Sequence, residues 1–399
     1  VERPCRDVER AAATPKACSC FLDSGTPIDQ DAGPTGPTTT SPQPLIPGWG
    51  SYPRAIRVQS GNIVVSVIGQ QANGHRGGTI LKSSDDGVTF SVVGHIEDPS
   101  FANGACCSTL YVLPRAVGNN PAGTLLWAAS LGAQADAAPM SITVWASQNE
   151  GETWSKQSNA VVATVPRSKG GLWEPEFSLL DDGTLVCHFS DETASGHSQR
   201  LGAVRTTDLV TWSAPFATVA LNDALARPGM ANVRRGPGGT YFMSYELCYI
   251  PSKAGPHPEN CAAHIRTSTD GVHWGDANDP GIIPKTADGK EFRHAPTLAW
   301  SPNPGPNGRF YLVGQMLYDS AGQKAADNGK LIFANTDGSQ GSWYEIAAPV
   351  PVPSAENAPC PNYSSTVLPL DNDSVVLEVA AHYEDSMICH ADFARGRVH

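Results

Sequence analysis

The stretch LWEPEFSLLDDGTLVCHFSDE, residues 172–192, places Glu174 and Glu176 beside Trp173 at one end of an alternating run and Asp191 at the other. A further carboxylate, Glu246, closes the apolar run of TYFMSYELC, where an exposed charge is otherwise an odd choice. Two carboxyl groups facing one cleft can divide the work of glycoside hydrolysis. One, in its acid form, protonates the leaving oxygen, and the other attacks or assists attack at the anomeric carbon. Trp173 would offer an apolar face to a sugar ring, and its plain alternative is a rim tryptophan packed against neighbouring structure. Strand alternation alone does not separate Glu174 from Glu176.

Such residues need elements that bring them together, and the chain repeats one. A polar or aromatic start, an apolar strand, a turn and a second apolar strand recur as YPRAIRVQSGNIVVSV, CCSTLYVLPRAVGNNPAGTLLWAAS, WEPEFSLLDDGTLVCHFSD, RPGMANVRRGPGGTYFMSYE, RHAPTLAWSPNPGPNGRFYLVGQ and NYSSTVLPLDNDSVVLEVA. Their turn residues, Gly61, Gly123, Gly183, Gly239, Gly308 and Asp373, stand 62, 60, 56, 69 and 65 positions apart, a period suited to a four-stranded sheet. In phase with them run SSDDGVTF, SQNEGETW, TTDLVTW, STDGVHW and NTDGSQGSW. These resemble the Asp box of sialidase-like propellers, in which Ser/Thr and Asp side chains bond turn backbone and Gly permits a positive φ. The expected fold is therefore all-β: a six-bladed β-propeller over residues 46–399 with Asp-box turns, preceded by a Cys- and Pro-containing extension at 1–45. In that architecture the starts of the inner strands and the ends of the second strands converge on one mouth of the channel. That mouth gathers Arg54, Cys106, Cys107, Trp173, Glu174, Glu176, Arg227, His294 and Tyr363, together with Asp191 and Glu246.

Composition agrees with this architecture. Of 399 residues, 40% are hydrophobic and 17% charged, and 39 glycines with 33 prolines favour short strands joined by turns. No apolar run approaches the roughly 20 residues of a membrane-spanning helix, so no membrane partner is expected. A net charge of −12 repels a phosphate backbone and argues against nucleic acid. Ten cysteines without a paired metal-binding spacing predict disulfides, an oxidising compartment and no metal site. Cys248 with Cys261 is the first expected pair, and adjacent Cys106 and Cys107 either bridge or remain buried thiols. Sequons at Asn362 and Asn372 suit a secreted protein. No leader peptide opens the chain, and Val1 reads as following a processing site.

The segments SYPRAIRV, LWEPEFSLLDDGTLVCHFSDE and RPGMANVRRGPGGTYFMSYE, within six blades, resemble glycoside hydrolase family 93, the exo-α-1,5-L-arabinanases, from about residue 46 onward. The family's glutamate pair falls on Glu174 and Glu246. The resemblance implies a retaining hydrolase that releases arabinobiose from the non-reducing end of arabinan, with no cofactor. Glu246 is expected as nucleophile, held charged by hydrogen bonds. Glu174 is expected as acid/base, its pKa raised by burial against Trp173 and by its partner. Arg54 and Tyr363 are candidate donors to Glu246 or to sugar hydroxyls, and Asp191 and His294 are candidate hydroxyl ligands. A secreted monomer acting on an oligo- or polysaccharide is expected. The Cys-bearing extension and the Cys106–Cys107 pair depart from the family pattern.

Three rivals share the fold. A sialidase would clamp a carboxylate with three arginines, for which Arg54 and Arg266 are available, and would use Tyr363 as nucleophile, but no aspartate follows NIVVSVIG and no third arginine stands in LIFANTDG. A polysaccharide lyase would use His294 or Tyr363 as base. A non-catalytic glycan-binding propeller would keep the boxes without the reaction. The chain carries no GxSxG, HExxH, P-loop or dinucleotide fingerprint.

Overall fold

A computed structural model of the chain describes residues 38–250, 260–370, 374–384 and 388–398, all within one compact unit that runs from Pro34 to His399. Among these residues there are 25 strands, three short 3-10 turns and no α-helix. The strands form six antiparallel sheets, and each of the six repeated hairpins supplies the first two strands of one. The cysteines at 5, 18 and 20 and the sequon at Asn372 lie outside the described residues.

Blade one begins with the inner strand Gly50–Arg57, blade two with Ala105–Val112, blade three with Leu172–Leu179, blade four with Ala226–Arg235, blade five with Thr297–Ser301 and blade six with Thr366–Leu370. Blade four takes a fifth strand, Met316–Tyr318, lent by the segment that follows the blade-five hairpin. Blade six is completed from the other end of the chain. Its outermost strand is Gln43–Pro44, paired with Phe393 and Asp392. That strand lies in the stretch the sequence presents as a featureless extension, because two residues are too short to show alternation.

The core lies between blades. Trp127 and Trp145 of blade two meet edge to face, 5.3 Å between centroids, and pack with Ile80 and Tyr52 of blade one. The turns that follow the third strands share one plan. Ser83 Oγ accepts the Gly87 N–H at 2.8 Å and Asp85 accepts the Thr89 N–H at 2.9 Å. Ser147 with Gly151 and Ser268 with Gly271 repeat it at 2.9 Å. In the third turn Thr206 serves Leu209, which takes the left-handed φ of 63° without being glycine.

The inner strands share one irregularity at the opposite end. In blades one to four the register slips at Ser51/Arg54, Cys106/Thr109, Trp173/Glu176 and Gly229/Asn232. At each slip a non-glycine residue has positive φ: Tyr52, Cys107, Glu174 and Met230, with Ala295 and Ser364 in the corresponding places of blades five and six. The first four are β-bulge residues, and Ala295 and Ser364 stand just before their strands. Six left-handed residues in register are costly one by one and are held by their surroundings, as strained backbone at a functional site is.

Candidate active site

The bulge gives the two neighbouring glutamates different surroundings. Glu174 is the bulge residue of blade three, with φ 56°, and stands at the channel mouth. Glu176, two residues on, points into the channel, where it is 3% exposed and accepts from Thr109 Oγ1 at 2.9 Å and pairs with Arg234. Glu176 is thus a structural carboxylate that ties blade three to blades two and four. Alternation cannot reveal this, because the slip between Trp173 and Glu176 breaks it.

Glu174 is set by three neighbours. Its carboxylate accepts from Ser190 Oγ at 2.5 Å and from the Met230 N–H at 3.1 Å, and its own N–H donates to Ser130 Oγ of blade two at 3.1 Å. Glu246 accepts the Ala295 N–H at 2.8 Å. The two glutamates belong to adjacent blades. Gly229 is the ladder partner of Glu246, and a Cβ on Gly229 would lie 3.7 Å from Glu174 Oε2 and 2.5 Å from the Gln199 amide nitrogen. A glycine is needed there because backbone and carboxylate approach so closely.

Burial raises the pKa of both carboxyls. Glu246 is pushed up to about 7, first by desolvation and then by the charge of Glu174, with the Ala295 N–H opposing. Glu174 is raised by desolvation against the pull of Ser190 and the Met230 N–H. Glu174 accepts two hydrogen bonds and Glu246 one, so the charged form has more donors at Glu174. Of the hydrogen bonds expected to hold Glu246 charged, the Ala295 N–H supplies one, and Glu174 is raised by burial as expected. Arg227 lowers the pKa of both and is the cation of the site.

Arg227 also binds Glu192, at 2.5 Å, and Glu192 in turn accepts from Trp173 Nε1 at 2.9 Å and the Gly171 N–H at 2.8 Å. Glu192, one residue past the second strand, thus joins Trp173 to Arg227, while Asp191 ends the strand. Asp191 is 3% exposed, pairs with Arg200 at 3.0 Å and caps Thr193. It ends the strand and holds the turn that follows. The choice between two adjacent acids depends on which face each takes, and Asp191 is the last residue in regular pairing, opposite Leu172.

Tyr363 is brought in as expected. Its phenol is held far above its ordinary pKa by burial and by the charges of Glu174 and Glu246, which places it beside both and keeps it neutral. Its ring lies 6.0 Å from Tyr52, and its hydroxyl meets Met230 Sδ at 3.6 Å. Trp173 stands half-buried at the rim, with the guanidinium of Arg167 4.7 Å from its ring centroid. Arg54 does not donate to Glu246. It is 7% exposed, lies over Tyr52, and donates to the Ser364 carbonyl at 3.1 Å and its hydroxyl at 3.0 Å across the seam between blades one and six. Arg266 donates to the carbonyls of Thr218, Trp274 and Asp276, so neither arginine is free to clamp a substrate carboxylate. His294 is held neutral, its pKa lowered to about 4 by burial and by Arg293. It lies against Cys248 and Cys261, and because these are joined in the expected disulfide, they offer no thiolates to a metal.

A second disulfide, Cys360–Cys389, carries no sequence signal, since 29 residues separate the partners. Cys106, Cys107 and Cys187 are free thiols among the described residues. The sequon at Asn362 is closed to glycosylation in the fold. Its side chain is 4% exposed and its amide donates to the carbonyls of Gly314 and Gln315 at 3.1 Å. A cavity of about 640 Å³ opens at the other end of the channel, between residues such as Arg57, Tyr111, Phe177 and Trp300, away from the glutamates.

No family model matches the chain, and no curated protein matches its sequence. Solved structures do match. A Penicillium chrysogenum α-L-arabinanase complexed with arabinobiose is similar with a TM-score of 0.74 and 23% identity, over 90% of this chain and 99% of that one. A Fusarium graminearum α-L-arabinofuranosidase of glycoside hydrolase family 93, also with arabinobiose, is similar with a TM-score of 0.75 and 22% identity, over 90% and 98%. A Hadza microbial sialidase follows at 0.55 and 14%, over 88% of this chain and 66% of that one. At these identities the likeness establishes architecture, and this chain has the sialidase-like six-bladed propeller fold.

Proposed function

We propose that this chain is a retaining, exo-acting glycoside hydrolase of the family 93 type, which cleaves α-1,5-linked L-arabinan from the non-reducing end and releases arabinobiose. The observation that carries this reading is the pair Glu174 and Glu246 on adjacent blades, one carboxylate supplied with donors and the other with a pKa near 7. Structural similarity to two enzymes solved with arabinobiose supports the substrate. Two disulfides in the fold support a secreted protein.

In this mechanism Glu174 is the nucleophile. The Ser190 and Met230 donors favour its ionised form against burial and both bind one oxygen, leaving the other for the anomeric carbon. Glu246 gives its proton to the departing glycosidic oxygen as the shortened arabinan leaves, and a covalent arabinobiosyl ester forms on Glu174. Glu246, now ionised, takes a proton from water, which hydrolyses the ester and restores both groups. Arg227 holds Glu192, which fixes Trp173 at the rim as a sugar platform.

The test is product analysis on linear α-1,5-arabinan with the natural chain, Glu174→Gln and Glu246→Gln, beside a sialyl glycoside. Arabinobiose alone from the natural chain, and none from the two folded variants, is the expected result. An aryl arabinobioside whose phenol leaves without protonation separates the roles: it should still form a glycosyl-enzyme with Glu246→Gln and not with Glu174→Gln. Intact arabinan, or release from the sialyl glycoside, would overturn the assignment.

A further inference from the structure

Cys106 and Cys107 have no part in the chemistry above, yet they stand beside it. Cys107 is the bulge residue of blade two, with φ 58°, in the position that Glu174 holds in blade three. It packs in one cluster with Tyr52, Met230, Ala295 and Tyr363, whose blades frame the same mouth. The charge of Glu174 is among the influences on its thiol. Both cysteines are partly exposed, and their sulfurs lie 2.9 Å apart. Cys106 is also the ladder partner of Ser130, the residue that takes the Glu174 N–H.

The fold already contains two disulfides, so it suits conditions in which accessible neighbouring thiols oxidise. We propose that Cys106 and Cys107 close into a vicinal disulfide that forms an apolar wall of the sugar subsite beside Glu174 and strengthens substrate binding. The closure is a two-electron oxidation. The two thiols lose two protons and two electrons as the Sγ–Sγ bond forms, and a small-molecule disulfide is cleaved to two thiols that take them up. The wall changes character with the bond: two S–H groups and their rotational freedom are replaced by a fixed, polarisable surface without donors, suited to the C–H face of a furanose. A Cys106–Cys107 bridge acts on binding more than on the chemical step, because neither sulfur reaches the reacting carboxyls in a bonding role. The binding part of this inference rests on the arabinan reading.

The test has two readouts. In the first, the protein is incubated with oxidised glutathione, its native thiols are alkylated, and the peptide holding residues 106 and 107 is mapped by mass. The expected peptide is unalkylated and two hydrogens lighter, while Cys248–Cys261 and Cys360–Cys389 are mapped separately. Alkylation of both cysteines after that treatment would overturn the proposal, whatever the substrate proves to be. In the second, KM and kcat for arabino-oligosaccharides are compared between the bridged protein and Cys106→Ala/Cys107→Ala, with thermal melts to show that the variant folds. KM should rise about five- to tenfold in the variant, with a smaller change in kcat, and the variant should not respond to glutathione redox buffers. If the double variant does not fold, the same comparison is made on the natural chain poised in redox buffers, with KM plotted against the mapped 106–107 bridge. Equal KM with and without the bridge would overturn the wall. Failure of every redox form to cleave arabinan would instead count against the substrate, since the mapped bridge does not depend on it.

Discussion

At the scale of single residues, the site's pH response follows from which carboxyl keeps its proton. In the proposed mechanism Glu246, pushed up to about 7 by burial and by Glu174, must be protonated to act as acid, so kcat/KM should fall as pH rises through about 7. A one-proton alkaline limb in the pH–rate profile is the expected measurement, and Glu246→Gln should remove it along with most of the activity. Arg227 lowers the pKa of both glutamates, so its loss raises both and moves the active window upward. Arg227→Met should therefore shift both limbs of the profile to higher pH, and it should cost on the order of tenfold in kcat/KM through Glu192 and Trp173, whose hold it releases. A uniform loss without movement of the limbs would mean that Arg227 only supports the rim.

At the scale of strands, blade six holds a buried acid unconnected with the reaction. Glu378, on the strand Val375–Tyr383, is 1% exposed, and desolvation raises its pKa to about 8 against the opposing Val350 N–H. A carboxyl whose folded pKa lies above its unfolded value contributes fully at low pH. Its contribution is lost from the unfolded value of 4.5 upward until the folded value near 8 is passed. Glu378→Gln keeps an acceptor for Val350 without the charge, so it should raise Tm by about 2–4 °C at pH 8.5 and leave it unchanged at pH 5. The strands themselves were legible in the sequence because hairpin and turn recur at one period, and all six repeats fall on inner hairpins. The site was legible only in part. Glu174, Glu246, Trp173 and Tyr363 were found where strand ends converge, but a bulge carries no mark in composition, so Glu176 could not be set aside. Arg54 and Asp191 share the same address, yet the hydrogen bonds of the one and the ion pair of the other engage them with protein groups, and His294 stands half-buried against the Cys248–Cys261 disulfide. Glu192 and Asp191 carry the same charge side by side, and sequence alone does not distinguish them. The lent strand Met316–Tyr318 has three residues, too few for any period.

At the scale of the whole propeller, the ring is closed by a seam built from both ends of the described chain. Gln43–Pro44 covers the edge of the strand Cys389–Arg397, and Thr40 exchanges backbone and side-chain hydrogen bonds with Arg395 at 3.1 and 2.9 Å. Thr38 accepts from Arg397 at 3.0 Å. On the inner side, Arg54 of blade one grips Ser364 of blade six, and Cys360–Cys389 staples the start of that blade to its third strand. An open edge is a template for pairing with other chains, and closure removes it. A chain beginning at Leu45 should therefore melt about 2–4 kcal/mol below one beginning at Thr38, since it loses several hydrogen bonds of about 1 kcal/mol each, and it should aggregate at lower concentration. Cys360→Ser/Cys389→Ser, which frees a loop of 29 residues, should cost about 3–4 kcal/mol by chain entropy. If the staple and the terminal strand hold the same seam, the two losses couple, and the combined variant departs from the sum by more than the roughly 0.5 kcal/mol expected of independent sites. Simple additivity in urea melts would mean that the outer edge of blade six and its mouth fail separately. In that case the glutamate pair, carried on blades three and four, would keep its turnover after the outer strand is gone.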